Sequence, residues 1–504
     1  MRALSKIVRR SSGILLPLLV TAACSGQPPE EELAGGAQAE GNVTPDVDVT
    51  LLPGQSISLD KQVVVPEVPP KLDLYLVVDL SGSYSDDLPN LMAKAPDIFD
   101  GVRAGVADSR FGLGSIVDYP FSPWGDAGTG DYAYRIDQDL TADRTTWLTA
   151  TGAMMTRFGG DGPQSQLEAF YQAAAGAGRD LNGNGSYADL GDVPPAAVSF
   201  RADATKIVAL TTDAPFHQPG DPGDLPGGYP GPSRDATVAA LGAAGIKVIA
   251  IKAPGSSTEM DDIAGATGGA VTTTDASSSQ IAEAILGALQ SLKFTITGVP
   301  VGCGPLSVSL AQASYSGIEG GTTVIFSETI TAPSVTSGGD IQCQVIFYAD
   351  STEIGRQNIH AHIGVAPVDI KPGSCPNPFQ MKNRGVLPVA LLGTASFDVG
   401  EVDPATVRLE GVPPLRYSLG DVATPFEPYY GKAASTDCTT GGTDGFVDMN
   451  LKFSHLAVAA TLGAVSDREA RSLKLTGLLR DGSPFVGEDI VLILANQDGP
   501  APAR

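Results

Sequence analysis

The chain has 504 residues, room for two to four domains, and hydrophobic residues at 42 % can build cores despite 60 Gly and 38 Pro. Lys and Arg number 32 against 57 Asp and Glu, a formal charge of −25. A chain this acidic repels phosphate backbones and attracts cations, which excludes nucleic-acid binding and leaves solubility or cation binding as its meaning.

Arg2, Lys6, Arg9 and Arg10 precede an apolar run over 13–23 that ends in small residues at Cys24. That is the order of a secretory signal, expected over 1–23, and the run is too short to span a bilayer. Leu-Leu-Val-Thr-Ala-Ala-Cys resembles a bacterial lipobox, with Thr21 where Leu is usual. The resemblance implies an acylated Cys24 and an exported protein held to the cell envelope, its only membrane attachment being that N-terminal lipid. Residues 24–55 are poor in apolar side chains and read as a flexible tether.

Beyond the tether, a domain over 56–293 alternates apolar runs with helical periods. A continuous apolar run over 72–78 predicts a buried strand. Leu88, Leu91, Met92, Ala95, Phe99 and Val102 recur at helical spacing. Further strands are expected over 110–117, 206–210 and 245–251, and further helices over 165–177, 234–244 and 281–292. Strands separated by helices call for a doubly wound, Rossmann-like α/β fold with a parallel sheet.

After Lys293 the helical period disappears. Short alternating stretches over 324–329 and 341–348 predict a β-sandwich, Ig-like, across 294–365. Residues 366–504 are β-like again and rich in Gly and Pro, with strands expected over 386–392 and 446–453. Cys303, Cys343, Cys375 and Cys438 are even in number and suit an oxidising compartment. Of the three pairings they allow, Cys303–Cys343 and Cys375–Cys438 each close within one expected domain.

The first strand ends in Asp79-Leu-Ser81-Gly-Ser83-Tyr-Ser-Asp86-Asp87. Oxygen-bearing side chains at alternate positions leave the carboxyl end of a strand, where sheets of this class bind ligands. Hydroxyls and carboxylates are hard ligands that suit Mg²⁺ or Ca²⁺, with Mn²⁺ a further option. A second strand delivers Thr211-Thr-Asp213 to the same edge, and the loop Gly159-Gly-Asp161-Gly-Pro163-Gln164 adds to it.

These stretches, with Arg110-Phe-Gly-Leu-Gly-Ser-Ile-Val-Asp118-Tyr-Pro, occur in one order over some 220 residues. In that order residues 73–292 resemble a von Willebrand factor A domain, and more narrowly the I-like domain of integrin β subunits. The resemblance implies a metal-ion-dependent adhesion site built from Asp79, Ser81, Ser83 and Asp213, with Gln164 beside it. It also implies an adjacent site using Ser83, Asp86 and Asp87, and a third using Asp118, Asp161 and Pro163. Two positions depart from the family pattern: Gln164 stands where a shared Glu ligand is usual, and Gly159 where Asn is usual. Both changes weaken the third site most.

Asp180-Leu-Asn182-Gly-Asn184-Gly resembles the first half of an EF-hand loop, but position 12 is Gly191, so Asp189 or Asp192 would have to substitute. The stretch from Val368-Asp-Ile-Lys-Pro-Gly onward is similar to a C-terminal module recurrent in secreted bacterial proteins. Its Asp437–Asp444–Asp448 run is either a Ca²⁺ loop or an Asp-rich turn. The four His are His217, His360, His362 and His455; His360 and His362 share a strand face with no third ligand in view and are read as solvent-facing. No nucleophile, zinc-protease or phosphate-loop motif is present, so no enzyme is expected. The expected function is metal-dependent adhesion to a protein partner that presents an acidic residue. The alternative is an envelope scaffold in which the ion only braces loops.

Overall fold

The computed structural model describes residues 42–254, 256–275 and 279–495. The signal, Cys24 and the first part of the tether lie outside the described residues. Among those described, no helix is long and apolar enough to cross a membrane.

The described chain opens with three strands, β1 (Val43–Thr44), β2 (Val47–Leu51) and β3 (Ser56–Val64). Six more form the α/β sheet: β4 (Lys71–Asp79), β5 (Asp108–Ile116), β6 (Arg135–Thr141), β7 (Thr205–Thr212), β8 (Ile246–Lys252) and β9 (Ala270–Thr273). Their order is β6-β5-β4-β7-β8-β9, parallel except for β6. The helices are α1 (Leu88–Gly105), α2 (Arg144–Gly152), α3 (Gln166–Ala175), α4 (Arg234–Ala244), α5 (Glu259–Ala266) and α6 (Ile281–Gln290). Alternation along β4 feeds two cores: Leu72, Leu74, Leu76 and Val78 pack with α1, α2 and α6, while Tyr75 and Val77 pack with α3, α4 and α5. Because both faces of β4 are covered, its sequence reads as one apolar run rather than as an alternation. The strand β6, the short helices α2 and α5, and β9 escape the sequence reading; none has a long apolar period.

The paired glycines of β5 have a packing reason. A Cβ at Gly112 would meet the Tyr75 ring at 2.6 Å, and one at Gly114 would meet its hydroxyl at 2.2 Å. Tyr75 lies across β5 and shares a buried hydrogen bond of 2.8 Å with the Tyr134 hydroxyl. Gly114→Ala should therefore force the ring aside and cost about 1–3 kcal/mol, read as a lower denaturant midpoint at unchanged slope.

Six strands follow α6: β10 (Lys293–Val301), β11 (Ser307–Leu310), β12 (Ser314–Glu319), β13 (Thr323–Thr331), β14 (Gly339–Ala349) and β15 (Thr352–Ile363). They do not form a sandwich alone. The sheets are β1-β3-β13-β11 and β12-β10-β14-β15-β2, so the first three strands complete both layers. Nine residues of β3 pair with β13, and β2 lies parallel to β15 from Val47–Ile359 to Leu51–Ile363. The tether expected over 24–55 therefore does not extend through 43–51, and 56–64 pairs with the sandwich rather than with the α/β sheet. Both segments are short and flanked by Pro or Gly, and their partners lie some 300 residues away, beyond any local pattern. The α/β segment is an insertion between two sandwich strands, β3 and β10.

Inside the sandwich Lys61 and Glu328 are fully buried with Nζ and Oε2 3.8 Å apart. The Lys61 ammonium donates to the Pro45 carbonyl at 2.8 Å, and Gln357 donates to Glu328 Oε2 at 3.0 Å. The C-terminal module has two four-stranded sheets around one apolar core, with expected strands found at Val386–Leu391 and Met449–Ser454. Disulfides join Cys303 to Cys343 and Cys375 to Cys438.

Candidate metal centre

Asp79 closes β4 and is fully buried. After it the chain stays extended through Ser81, enters a short 3-10 turn over Gly82–Ser85, and begins α1 at Leu88 with a proline in its first turn. This path turns oxygens back toward the strand end. The Ser81 N–H donates to Asp79 Oδ1 at 2.9 Å, and the Ser81 and Ser83 hydroxyls lie 3.1 Å apart. Ser83 donates to Asp213 Oδ1 at 3.0 Å, across from β4 to the end of β7. From β7 itself, Thr212 donates to Asp79 Oδ2 at 2.6 Å. Gln166, at the start of α3, donates to the Thr212 hydroxyl at 3.1 Å and so orients it; no motif pointed to that residue.

Ser81, Ser83, Asp213, Asp161 and Gln164 line one cleft of about 360 Å³ with Phe158 and Gly159 on its rim. Gly159 has φ +61°, and a Cβ there would lie 3.1 Å from Ser81 Cβ, so a bare backbone occupies the place of the family's Asn. Gln164 is held by its N–H to Pro215 O and its amide to Asp161 O, while its buried Oε1 accepts no hydrogen bond among the described residues. Asp86 is exposed, and Asp87 is buried at the N-terminus of α1.

The electrostatics favour a cation. Burial pushes the Asp79 carboxyl up to about 6, against the hydrogen bonds it accepts. Burial also raises Asp213, with the Asp86 charge adding to it. Among the described residues no Lys or Arg pairs with Asp79, Asp213, Asp86, Asp118 or Asp161. Hard oxygen donors without a basic counter-charge fit a hard divalent ion.

Behind the cleft, Asp118 follows β5 and is fully buried, and its carboxyl is pushed well up by burial. The structure brings Asp161 close to it and adds a residue the sequence reading left without a role: His217. Its Nε2 lies 3.3 Å from Asp118 Oδ2 and 3.1 Å from Asp161 Oδ1. Pro163 sits on the same loop, half-buried.

Residues 67–175 match the family described as the integrin beta chain VWA domain. The α/β domain is von Willebrand A-like. Among similar proteins, integrin beta-5 of Bos taurus is 39 % identical over 79 residues, covering 16 % of this chain and 10 % of that protein. Integrin beta-2 of Sus scrofa is 25 % identical over 208 residues, 38 % of this chain and 24 % of that one. Integrin beta-4 of Mus musculus is 26 % identical over 190 residues, 35 % and 9 % respectively. The chain thus spans between about a tenth and a quarter of these relatives' length.

Within the von Willebrand A-like domain, the EF-hand-like loop is closed on itself. Asp180 accepts from the N–H groups of Asn182, Gly183 and Gly185, and both Asn182 and Asn184 donate their side-chain amides to Asp189 Oδ2 at 2.8 and 2.7 Å. Outside that domain, His360 and His362 do have an acidic neighbour: Asp340 on β14 lies 2.8 Å from His362 Nδ1 and 3.6 Å from His360 Nε2, and Asp48 lies 3.2 Å from His360 Nδ1. Their register across β14 and β15 brings this about, and the sequence spacing could not show it. In the C-terminal module, Asp437 and Asp444 accept local backbone N–H groups, the pattern of turns, while the buried Asp448 accepts the N–H groups of Gly393, Val422 and Ala423 from distant segments.

Proposed function

We propose that this chain is a metal-dependent recognition protein. Its von Willebrand A-like domain would hold Mg²⁺ or Ca²⁺ through Asp79, Ser81, Ser83 and Asp213, and its partner would present a carboxylate at the cleft. One observation supports the reading most: the Ser83–Asp213 hydrogen bond joins the ends of β4 and β7 at a single oxygen-rich cleft that, among the described residues, has no basic side chain lining it. A divalent ion held by few protein charges keeps a coordination position for an acceptor oxygen from outside. Asp79, anchored by Ser81 N–H and Thr212, fixes the inner donor; Ser81 and Ser83 set the reach of the outer ones. Gln164 lines the same wall and offers an uncharged carbonyl. The adjacent set of Ser83, Asp86 and Asp87 belongs to the same reading, as does export on a lipidated Cys24. The chain acts by binding rather than by catalysis.

Calorimetric titration of the full chain with Mg²⁺, Ca²⁺ and Mn²⁺ tests it, followed by capture of a partner in Mg²⁺ and in EDTA. Ser81→Ala and Asp213→Ala should each remove the heat of binding and the capture. Capture that persists in EDTA overturns the adhesive reading, and heat without metal-dependent capture favours a scaffold whose ion only braces loops.

A further inference from the structure

The C-terminal module buries a set of polar groups beside the strand Val368–Ile370. Lys432 and Asp489 form an ion pair there, with Nζ 3.1 Å from Oδ1 and side chains only 1 % and 2 % exposed. The N–H groups of Gly431 and Lys432 donate to Glu488 Oε1 at 2.6 and 2.8 Å, which pins the loop carrying Lys432 to the strand carrying Asp489. The Lys432 ammonium also donates to the Val368 carbonyl at 3.4 Å and lies 5.8 Å from the centre of the Phe426 ring. Asp489 turns its other oxygen, Oδ2, to two donors: the Ile370 N–H at 2.7 Å and the Asn377 amide at 2.9 Å. Asp369 lies between Val368 and Ile370 and is 3 % exposed. Neither of its carboxyl oxygens has a hydrogen-bond partner among the described residues. Burial first, and the Asp489 charge second, push this carboxyl up to about 7, against the Lys432 charge.

A structural ion pair accounts for the Lys432–Asp489 contact but not for the unpartnered carboxyl beside it. The same groups meet the needs of amide formation: an amine against a carboxyl group, two donors on the oxygen that stays, and an acid to serve the oxygen that leaves. We infer that Lys432 and Asp489 condense into an intramolecular isopeptide bond, with Asp369 as the proton relay. Lys432 first passes a proton to Asp489 Oδ1, which leaves a neutral amine beside a neutral carboxyl. The Nζ lone pair then attacks Asp489 Cγ, and the charge that develops on Oδ2 falls on the Ile370 and Asn377 donors. Asp369 gives its proton to Oδ1 and takes one from Nζ; the Cγ–Oδ1 bond breaks and water leaves. Ammonium and carboxylate thus become an amide and one water, with no oxidant or cofactor and with Asp369 unchanged. The bond joins positions 57 residues apart, so it restricts the unfolded chain and holds the module against unfolding. The inference stands on these residues alone and not on the adhesive reading.

Mass spectrometry of the purified full chain, unfolded and with its disulfides reduced, tests it. The chain should be one water lighter than its sequence requires, and trypsin should leave Lys432 uncut in a branched peptide that contains Asp489. Lys432→Arg keeps the positive charge but cannot form the bond, so it should show the full mass and a lower denaturation midpoint. Lys432→Met provides a second variant of similar length with the same expected mass outcome. Asp369→Asn keeps the shape of the relay but supplies no acid, and should also retain the full mass. Circular dichroism of each variant confirms that it is folded. A wild-type chain of full mass, with Lys432 in a linear peptide, would make the contact an ion pair only and overturn the proposal. Water loss that persists in folded Lys432→Arg or Lys432→Met, or complete cross-linking in folded Asp369→Asn, would overturn it as well.

Discussion

Asp79→Asn is expected to make the chelator-treated protein more stable at pH 8 and to end its response to Mg²⁺. Burial holds the Asp79 carboxyl up at about 6, while an unfolded chain restores it to about 3.8. The folded state therefore binds the extra proton between those values. Its contribution to stability is complete below pH 4 and disappears as pH rises through 6. Above that the ionised carboxylate is a liability of roughly 3 kcal/mol in the metal-free fold. Asn keeps an oxygen for the Ser81 N–H and carries no charge, so urea melts in EDTA should show a gain of that order at pH 8 and little at pH 4. In Mg²⁺ the ranking should invert, since only the wild type gains from a ligand of the folded state. A variant that is less stable in EDTA at pH 8, or that still responds to Mg²⁺, would make Asp79 an ordinary structural acceptor.

Glu328→Ala should cost about 3–5 kcal/mol, because it leaves the buried Lys61 ammonium without its carboxylate. The loss falls on the sandwich, where Lys61 on β3 reaches both Glu328 on β13 and the Pro45 carbonyl between β1 and β2. Burial draws each partner toward its neutral form, lowering Lys61 and raising Glu328. The double variant Lys61→Met with Glu328→Leu should recover most of the loss, since a buried pair replaced by apolar groups of similar volume is close to neutral. Denaturation followed in the single and double variants separates the two outcomes; a double variant as unstable as Glu328→Ala would mean that the Pro45 and Gln357 contacts matter more than the charges.

What could be read in advance follows the range of the interactions. The buried strand β4, the amphipathic α1 and the oxygen series Asp79–Ser81–Ser83 are local patterns, and they appear where the residues place them. Asp213 could be assigned to the same edge because parallel strands side by side end together. His217 and Gln166 could not, because each acts through contacts set by tertiary packing: His217 in its loop on Tyr229 and Trp124, Gln166 from the start of α3 on Thr212. The first three strands were obscured for another reason. A two-residue strand and a five-residue edge strand carry little pattern of their own, and the partners of β2 and β3, β15 and β13, come after the whole inserted domain.

That insertion also orders assembly in time. The Asn42 amide meets the Ile354 carbonyl across 312 residues of chain; the sheet that holds β3 cannot be finished until β13 has been synthesised, nor the one that holds β2 until β15 has been. The parallel sheet between them needs only neighbours closer in sequence, and contacts of shorter range form sooner. During vectorial emergence from a ribosome, β2 and the outer edge of β3 must therefore wait without their partners while the inserted domain folds. That interval is when a chaperone would have most to protect.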